Sequence, residues 1–226
     1  MLVKNWMSRT VFTIDLNESI HNAMKLLQKH KIRMLPVTKK DKLVGVITDR
    51  DIKRASASDA TTLSVHELNY ILSKVKVSEI MSDKPVTVPF DYTIEETAEV
   101  LLNHKISGVP VVNHDGGIVG TITQTDIFRE IISSAGVGQK GIQFAFQIKN
   151  RPGSIKEVAD IIRGYKGRIA SILSSYEQVP EGYHKVYIRT YGIDRSRFPE
   201  LIEVLKTKTT LLYMVDHDEN RREIYS

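Results

Sequence analysis

Two stretches of this sequence end on one pattern, Gly-h-h-Thr-x-x-Asp, where h is apolar: Gly45-Val46-Ile47-Thr48-Asp49-Arg50-Asp51 and Gly120-Thr121-Ile122-Thr123-Gln124-Thr125-Asp126. A β-rich run that enters a helix leaves the first helical amides without carbonyl partners, and such amides seat a phosphate or another anion. An Asp at that point can accept two hydrogen bonds from a vicinal diol such as that of ribose. The Thr hydroxyl can donate to sugar or phosphate oxygens, and the Gly lets a ligand approach the backbone. The same residues fit a plainer role. Thr48 with Asp51, and Thr123 with Asp126, can cap helices, each cap being worth about 1 kcal/mol. Duplication copies a cap as faithfully as a clamp, so the residue pattern leaves both readings open.

The elements that position these residues are themselves repeated. Met7-Ser8 recurs as Met81-Ser82, 74 residues on, and Thr13, Ile20, His30-Lys31-Ile32 and Pro36-Val37 recur at the same offset. After one inserted residue, Gly45 to Thr48 and Asp51-Ile52 recur 75 residues on. Each copy reads strand, helix, strand, strand, helix. Ile20, Ala23, Met24 and Leu27, and in the second copy Ile94, Thr97, Ala98 and Leu101, trace one helical face. Thr93 and Glu96 spell a capping box. Leu35–Thr38 and Leu43–Thr48 flank a turn at Lys39–Lys42, and Val109–Val112 and Ile118–Thr123 flank Asp115-Gly116-Gly117. Between the copies, Ser64 and Glu67 form another capping box, and Val65, Leu68, Leu72 and Val75 trace a narrow seam. That seam suits a helix packed on another, across a dimer or on its own domain. Neither short unit covers its own sheet, so two copies should pack together.

Composition narrows the classes. The 226 residues suit one or two domains. With 32 Lys+Arg against 27 Asp+Glu the net charge is +5, which favours anionic ligands without marking a nucleic-acid binder. The Lys39-Lys40-Asp41-Lys42 run is short and broken by an acid. No cysteine is present, which excludes disulfides and thiolate chemistry. No apolar run reaches bilayer length, and the opening residues lack a secretory h-region, so a cytoplasmic protein without membrane contact is expected. The seven histidines show no metal-ligand spacing, and neither a nucleophile elbow nor a P-loop occurs. No catalytic or metal site is expected, and the protein is read as a non-enzyme.

The duplicated Met-Ser, the h-x-h-Pro-Val strand and the Gly-h-h-Thr-x-x-Asp strand end resemble a pair of cystathionine-β-synthase (CBS) domains over residues 1–135. The resemblance implies two β-α-β-β-α repeats about a pseudo-two-fold, with adenosine ligands in the clefts between them. It implies that Asp51 and Asp126 clamp ribose and that Thr48 and Thr123 contact ribose or phosphate. Thr13-Ile14 and Thr87-Val88 would meet the adenine edge, with Met34, Val109, Pro36 and Pro110 on its face. Arg33 stands where the family often keeps a phosphate-binding residue, and Arg50 follows Thr48-Asp49. The second copy has Ser107 and Thr125 there, so phosphate charge would be met in copy one, with Lys31 and Lys53 alongside, and a single occupied cleft is expected.

The second half reads differently. Ala135–Gly141 is glycine-rich and reads as a flexible linker; it spells G-x-G-x-x-G, but after a helix and before a strand, the reverse of a dinucleotide fingerprint. Then Ile142, Phe144, Phe146 and Ile148 alternate as a strand. A turn at Asn150–Ser154 follows, with Ser154 as cap of a helix over Ile155, Val158, Ala159 and Ile162. A hairpin over Arg168–Tyr176 and Tyr183–Tyr191, a helix through Phe198, Leu201, Ile202 and Leu205, and a strand Thr209–Val215 complete β-α-β-β-α-β, a ferredoxin-like order. That order, with Asn150-Arg151-Pro152-Gly153-Ser154 at the first junction, resembles an ACT domain, which implies an amino-acid-like effector near Asn150 and Gly153 at a dimer interface.

The expected fold is therefore α+β: CBS repeats at 1–56 and 79–135 around a helical linker at 57–78, a glycine linker at 136–141, an ACT-like domain at 142–216 and a tail at 217–226. CBS pair plus ACT resembles the bacterial acetoin-utilisation protein B group. The function this implies is that of a non-catalytic, homodimeric ligand sensor that acts on an unidentified protein. Its regulatory ligand would be AMP, ADP or ATP ahead of NAD, S-adenosylmethionine or cyclic di-AMP. The alternatives are a regulatory subunit of a separate metabolic enzyme, or a docking scaffold without nucleotide.

Overall fold

The computed structural model describes residues 1–59, 70 and 72–225. The expected capping pair Ser64 and Glu67, with Val65 and Leu68, lies outside them. Leu72 and Val75 pack on the core of the first repeat. The chain divides into two units, Met1–Phe128 and Arg129–Ser226.

In the first unit each repeat makes a three-stranded sheet. The first contains β1 (Ile14–Asp15), α1 (Ile20–His30), β2 (Met34–Lys39), β3 (Lys42–Thr48) and α2 (Asp49–Asp59). A short helix α3 (Val77–Ile80) precedes the second set: β4 (Val88–Pro89), α4 (Ile94–His104), β5 (Gly108–Val112), β6 (Ile118–Thr123) and α5 (Gln124–Ser134). β1 runs parallel to β2 and β4 parallel to β5, while β2 pairs antiparallel with β3 and β5 antiparallel with β6. Helix starts follow the sequence signals. Ser19 caps α1 by accepting from the Asn22 amide, and Thr93 and Glu96 close a capping box on α4. Both helices stop at a lysine in the left-handed region, Lys31 (φ 53°) and Lys105 (φ 54°). The β2–β3 turn places Lys40 and Asp41 at φ 50° and 62°, the two positive φ values that match hairpin twist.

The repeat offset does not reveal how the copies are joined. The opening segment of each packs on the other. Val3, Trp6 and Met7 join the core built on Val88, Ile94, Leu101, Val109 and Ile122. Val77, Ile80 and Met81 join the core built on Ile14, Ile20, Leu35, Val37 and Ile47. The backbone seals the exchange symmetrically. Ser8 pairs with Thr121 through two bonds of 2.9 and 3.0 Å, and Ser82 with Val46 through two of the same lengths. Gly45 and Gly120 lie under these crossings. A Cβ on Gly45 would stand 2.6 Å from Met81 Sδ and 2.8 Å from the Ser82 carbonyl oxygen; on Gly120 it would stand 2.6 Å from Met7 Sδ and 2.9 Å from the Ser8 oxygen.

The second unit carries β7 (Ile142–Lys149), α6 (Ser154–Gly164), β8 (Arg168–Ser175), β9 (Tyr183–Tyr191), α7 (Phe198–Lys208), β10 (Thr210–Asp216) and β11 (Arg221–Ile224). The sheet order is β11-β10-β7-β9-β8, all antiparallel, the ferredoxin-like order extended by one strand. The residues expected as a plain tail form β11: a turn through Asn220 (φ 51°) brings Arg221–Ile224 back along β10. The core joins Phe144, Phe146, Val186 and Ile188 of the sheet to Ile162, Leu201 and Leu205 of the helices.

The glycine-rich stretch is fastened, contrary to the flexible linker expected. Ser171 Oγ and Arg189 Nε both donate to the Ala135 carbonyl (2.9 and 3.0 Å), and Arg189 also donates to Lys140 O and Gln143 Oε1. Gly141 (φ +66°) passes so close to Thr190 that a Cβ would lie 2.2 Å from its carbonyl oxygen.

Candidate functional site

In each copy the third strand runs straight into a helix, and the residues singled out by sequence gather at that junction. Thr48 donates to Asp51 Oδ2 from its amide (2.9 Å) and its hydroxyl (2.6 Å), and the Asp51 amide donates back to Thr48 Oγ1 (3.3 Å). Thr123 makes the same pair of bonds to Asp126 Oδ2, again at 2.9 and 2.6 Å. The capping role is therefore realised in both copies. It does not exclude the clamp. Both threonine bonds fall on one carboxylate oxygen, and a carboxylate offers about four acceptor sites over two oxygens.

The neighbouring strand supplies the rest of the junction. Met34 pairs with Thr48 across β2 and β3, and the Arg33 carbonyl accepts from the Asp49 amide (3.1 Å). Gly108 pairs with Thr123, and the Ser107 carbonyl accepts from the Gln124 amide (2.9 Å). Arg33, Arg50, Ser107 and Thr125 are exposed, while Thr48, Asp51, Thr123 and Asp126 are half-buried. Copy one thus holds two solvent-facing guanidinium groups at its junction where copy two holds hydroxyls. Thr13 is exposed and Thr87 half-buried, each just ahead of the short parallel strand.

Three expected ligand contacts need correction. Ile14 and Val88 are 4% and 0% exposed and belong to the two cores, so any contact they make is confined to the main chain. Val109, expected beside Met34 as a lining residue, is 1% exposed and packs in the copy-two core. Its partner in the repeat is Leu35; the position matching Met34 is Gly108, because strand alternation puts successive side chains on opposite faces. Pro36 and Pro110, on the face opposite Leu35 and Val109, are buried as well. The glycine of the motif is explained by the crossing Met-Ser segments instead of by ligand approach.

In the second unit, Asn150 and Gly153 line a depression of ≈ 240 Å³ with Arg151, Ser154, Ile155, Lys156, Tyr176 and His184. Ser154 is not the cap expected of it. It is the first helical residue and is buried, and the cap position falls on Gly153 (φ 86°), which has no side chain to offer. Tyr176 and His184 come from the hairpin far along the chain and carry no sequence signal linking them to Asn150. A second depression, of ≈ 180 Å³, is lined by Gly141, Thr190, Arg195 and Asp218. Its charges are satisfied internally. Arg195 pairs with the buried Asp216, with Asp218 (3.1 Å) and with Glu219 (3.6 Å). Burial pushes the Asp216 carboxyl up, but the Arg195 bond and the Glu219 and Asp218 amides outweigh it, leaving the group below its ordinary value. Among the described residues no three His, Asp or Glu side chains stand as a metal set, and no helix is long and apolar enough to cross a membrane.

Comparison with known proteins places these features. The CBS domain profile matches residues 3–58 and 77–133. A CBS domain-containing protein of Dictyostelium discoideum is 34% identical over 133 residues, 58% of this chain and 92% of that protein. The inosine-5'-monophosphate dehydrogenase of Korarchaeum cryptofilum is 30% identical over 125 residues, 55% of this chain but 23% of that enzyme. Among solved structures, the CBS domain pair of protein MJ0100, in complex with 5'-methylthioadenosine and S-adenosyl-L-methionine, is 35% identical with a TM-score of 0.50. It covers 58% of this chain and 99% of its own. Two repeats of one fold, each ending its third strand in a Thr-x-x-Asp cap, together with these matches, establish that the chain belongs to the CBS domain family.

Proposed function

We propose that this protein is a non-catalytic regulator whose CBS pair senses an adenosine ligand. Asp51 and Asp126 hold the ribose hydroxyls through their carboxylates. Thr48 and Thr123 reach ribose or phosphate, and the main chain at Thr13-Ile14 and Thr87-Val88 reads the adenine edge. Arg33 and Arg50 make copy one the cleft for phosphates, so AMP, ADP or ATP is the ligand class. The observation that carries this reading is the Thr–Asp junction, repeated with the same bond lengths at both strand ends. The 35%-identical MJ0100 pair in complex with two adenosine compounds supports it.

The ferredoxin-like unit acts as a second module of the ACT type, with an effector at Asn150 and Gly153, and the protein works as a cytoplasmic homodimer. Its role is linked to acetoin or acetate metabolism, a reading supported only by the resemblance to the acetoin-utilisation protein B group. A second reading, a regulatory subunit acting on a separate enzyme, is favoured by the dehydrogenase relative, in which the matched region is 23% of an enzyme.

Calorimetric titration of the full chain with AMP, ADP, ATP, NAD, S-adenosylmethionine, 5'-methylthioadenosine and cyclic di-AMP tests the proposal. Saturable binding by one of them, weakened at least tenfold in the Asp51→Ala, Asp126→Ala double variant, is expected. Silence from all seven would leave Thr48/Asp51 and Thr123/Asp126 as caps alone.

A further inference from the structure

Every second residue of β9 reads Tyr183, Lys185, Tyr187, Arg189 and Tyr191, aromatic and basic in turn. Strand alternation puts these five on the face of the sheet opposite the one where Phe144, Val186 and Ile188 meet the helices. Register adds neighbours on the same face. Tyr187 pairs with Ala145 of β7, and Ala145 with Tyr213 of β10. Lys149 pairs with Tyr183, and Arg222 of β11 pairs with Val215, two residues from Tyr213.

The tyrosines form a platform. The rings of Tyr187 and Tyr213 stand 6.4 Å apart although β7 lies between their strands. Strands separated by one other are about 9.6 Å apart, so the two rings lean together over Ala145, which is 0% exposed. Gln143 donates to the Tyr213 hydroxyl (3.2 Å). Leu173 beside Tyr187 and Ile224 beside Tyr213 are 45% and 83% exposed and carry the apolar row to both edges of the sheet.

The charge around this platform has one sign. β7, β8 and β9 contain no Asp or Glu, and the two acids of β10 and β11, Asp216 and Glu223, pair with Ile142 and Met214 on the core side. Lys185 donates to the Glu177 carbonyl (3.4 Å) and Arg222 to Asn220 Oδ1 (2.8 Å), both neutral, and Lys149 is exposed. Cations on the helix side of the same unit are neutralised: Arg151 by Glu157 (2.7 Å), Lys156 by Asp160 (2.7 Å) and Arg197 by Glu200 (3.0 Å). Arg189 is buried and spent on Ala135, Lys140 and Gln143. The sequence shows no basic run here because the cations alternate with tyrosines and come from separate strands.

We propose that this sheet face binds single-stranded RNA. Aromatic rings on a sheet stack unpaired bases, and cations beside them track the phosphates. A second copy of the chain would bring the same positive charge against itself, which disfavours pairing through this face. Gln147, between Thr210 and Lys185 in the next row, offers an amide to a 2'-hydroxyl, which favours RNA over DNA.

The test is fluorescence anisotropy of the full chain with a labelled oligouridine, chosen because the adenosine clefts proposed above read adenine. Saturable binding that weakens with salt is expected. Tyr187→Leu with Tyr213→Leu keeps Ala145 covered but removes the stacking faces, and should lower affinity at least tenfold with little change in Tm. Lys185→Gln with Arg222→Gln, both outside the core, should reduce the slope of log affinity against log salt by roughly 0.7 for each charge removed. Oligodeoxyuridine should bind more weakly. The inference is overturned by absent binding, by affinity unchanged in the tyrosine pair, or by equal binding of the deoxy strand, of duplex RNA or of oligoglutamate.

Discussion

Adding one methyl group at Gly45 or Gly120 tests how the two repeats are joined. The new Cβ in Gly45→Ala meets Met81 Sδ at 2.6 Å and the Ser82 carbonyl oxygen at 2.8 Å. A methionine tip can swing aside at small cost. The carbonyl cannot, because Ser82 is fixed to Val46 through both its amide and its oxygen, at 2.9 and 3.0 Å. Overpacking against a fixed group costs about 1–3 kcal/mol, and replacing a strand glycine by alanine returns about 0.5–1 kcal/mol. The net expectation is a loss of about 1–2 kcal/mol for each variant, or about 3–8 °C in Tm for a unit of this size. Trp6, the one tryptophan in the sequence, packs in the core that receives Met7 and reports on this unit by fluorescence during urea unfolding. Gly138→Ala is the control, since a Cβ there meets nothing within 4 Å. Wild-type midpoints for both variants, combined with lost nucleotide binding, would refute the argument. The glycines would then serve ligand approach, and the crossings would owe them nothing.

Other consequences are equally direct. Lys31→Gly and Lys105→Gly relieve left-handed backbone at the two helix ends, so each should stabilise by about 0.5–1 kcal/mol, read as a higher Tm. Asp216 has its carboxyl held below the ordinary value, so its contribution is complete above the unfolded pKa of roughly 4 and is lost as pH falls through the lower folded value. Stability of the second unit should therefore drop in acid below about pH 4, and a pH series on Asp216→Asn should show that drop reduced. Arg189→Met removes the bonds that fasten Ala135, Lys140 and Gln143, and hydrogen exchange should quicken across Val137–Lys140; unchanged protection would count against the fastening.

Much of the architecture is legible in the sequence because local chemistry and tertiary packing agree there. The period of Ile20, Ala23 and Leu27, the Thr93–Glu96 box and the apolar runs at Leu35 and Leu43 each describe an element that forms where expected. What escapes is set by contacts between residues remote in sequence. The exchange of Met7-Ser8 and Met81-Ser82 leaves the repeat pattern untouched, since either pairing buries the same side chains. Val109 faces the core and not the ligand side because successive strand residues point to opposite faces, a parity that residue type does not carry. Gly153, not Ser154, takes the cap position because the loop enters the helix with a positive φ that favours glycine. The strand Arg221–Ile224 is short and charged, and its placement depends on the edge of β10, which local propensity does not describe.

Because Asp51 and Asp126 already serve as caps, replacing them with alanine mixes two effects, and a weakened ligand could reflect a frayed helix. Asp51→Asn separates them. Its amide oxygen can still accept from the Thr48 amide and hydroxyl, the two bonds seen at 2.9 and 2.6 Å. The variant loses only the charge near the helix start, about 0.3–1 kcal/mol. The second position of the group changes from acceptor to donor, so a clamp that takes hydrogen bonds from both ribose hydroxyls loses one and gains a donor facing a donor. A hydrogen bond to a charged group is worth about 1.5–3 kcal/mol, so affinity should fall by tenfold or more while Tm shifts by a few degrees at most. Thr48→Val removes the cap hydroxyl, costing about 1 kcal/mol of stability, and with it a group that reaches ribose or phosphate, so it should lower both Tm and affinity. If Asp51→Asn and Asp126→Asn bind adenosine ligands as tightly as the wild type, both aspartates are caps and the clamp assignment fails.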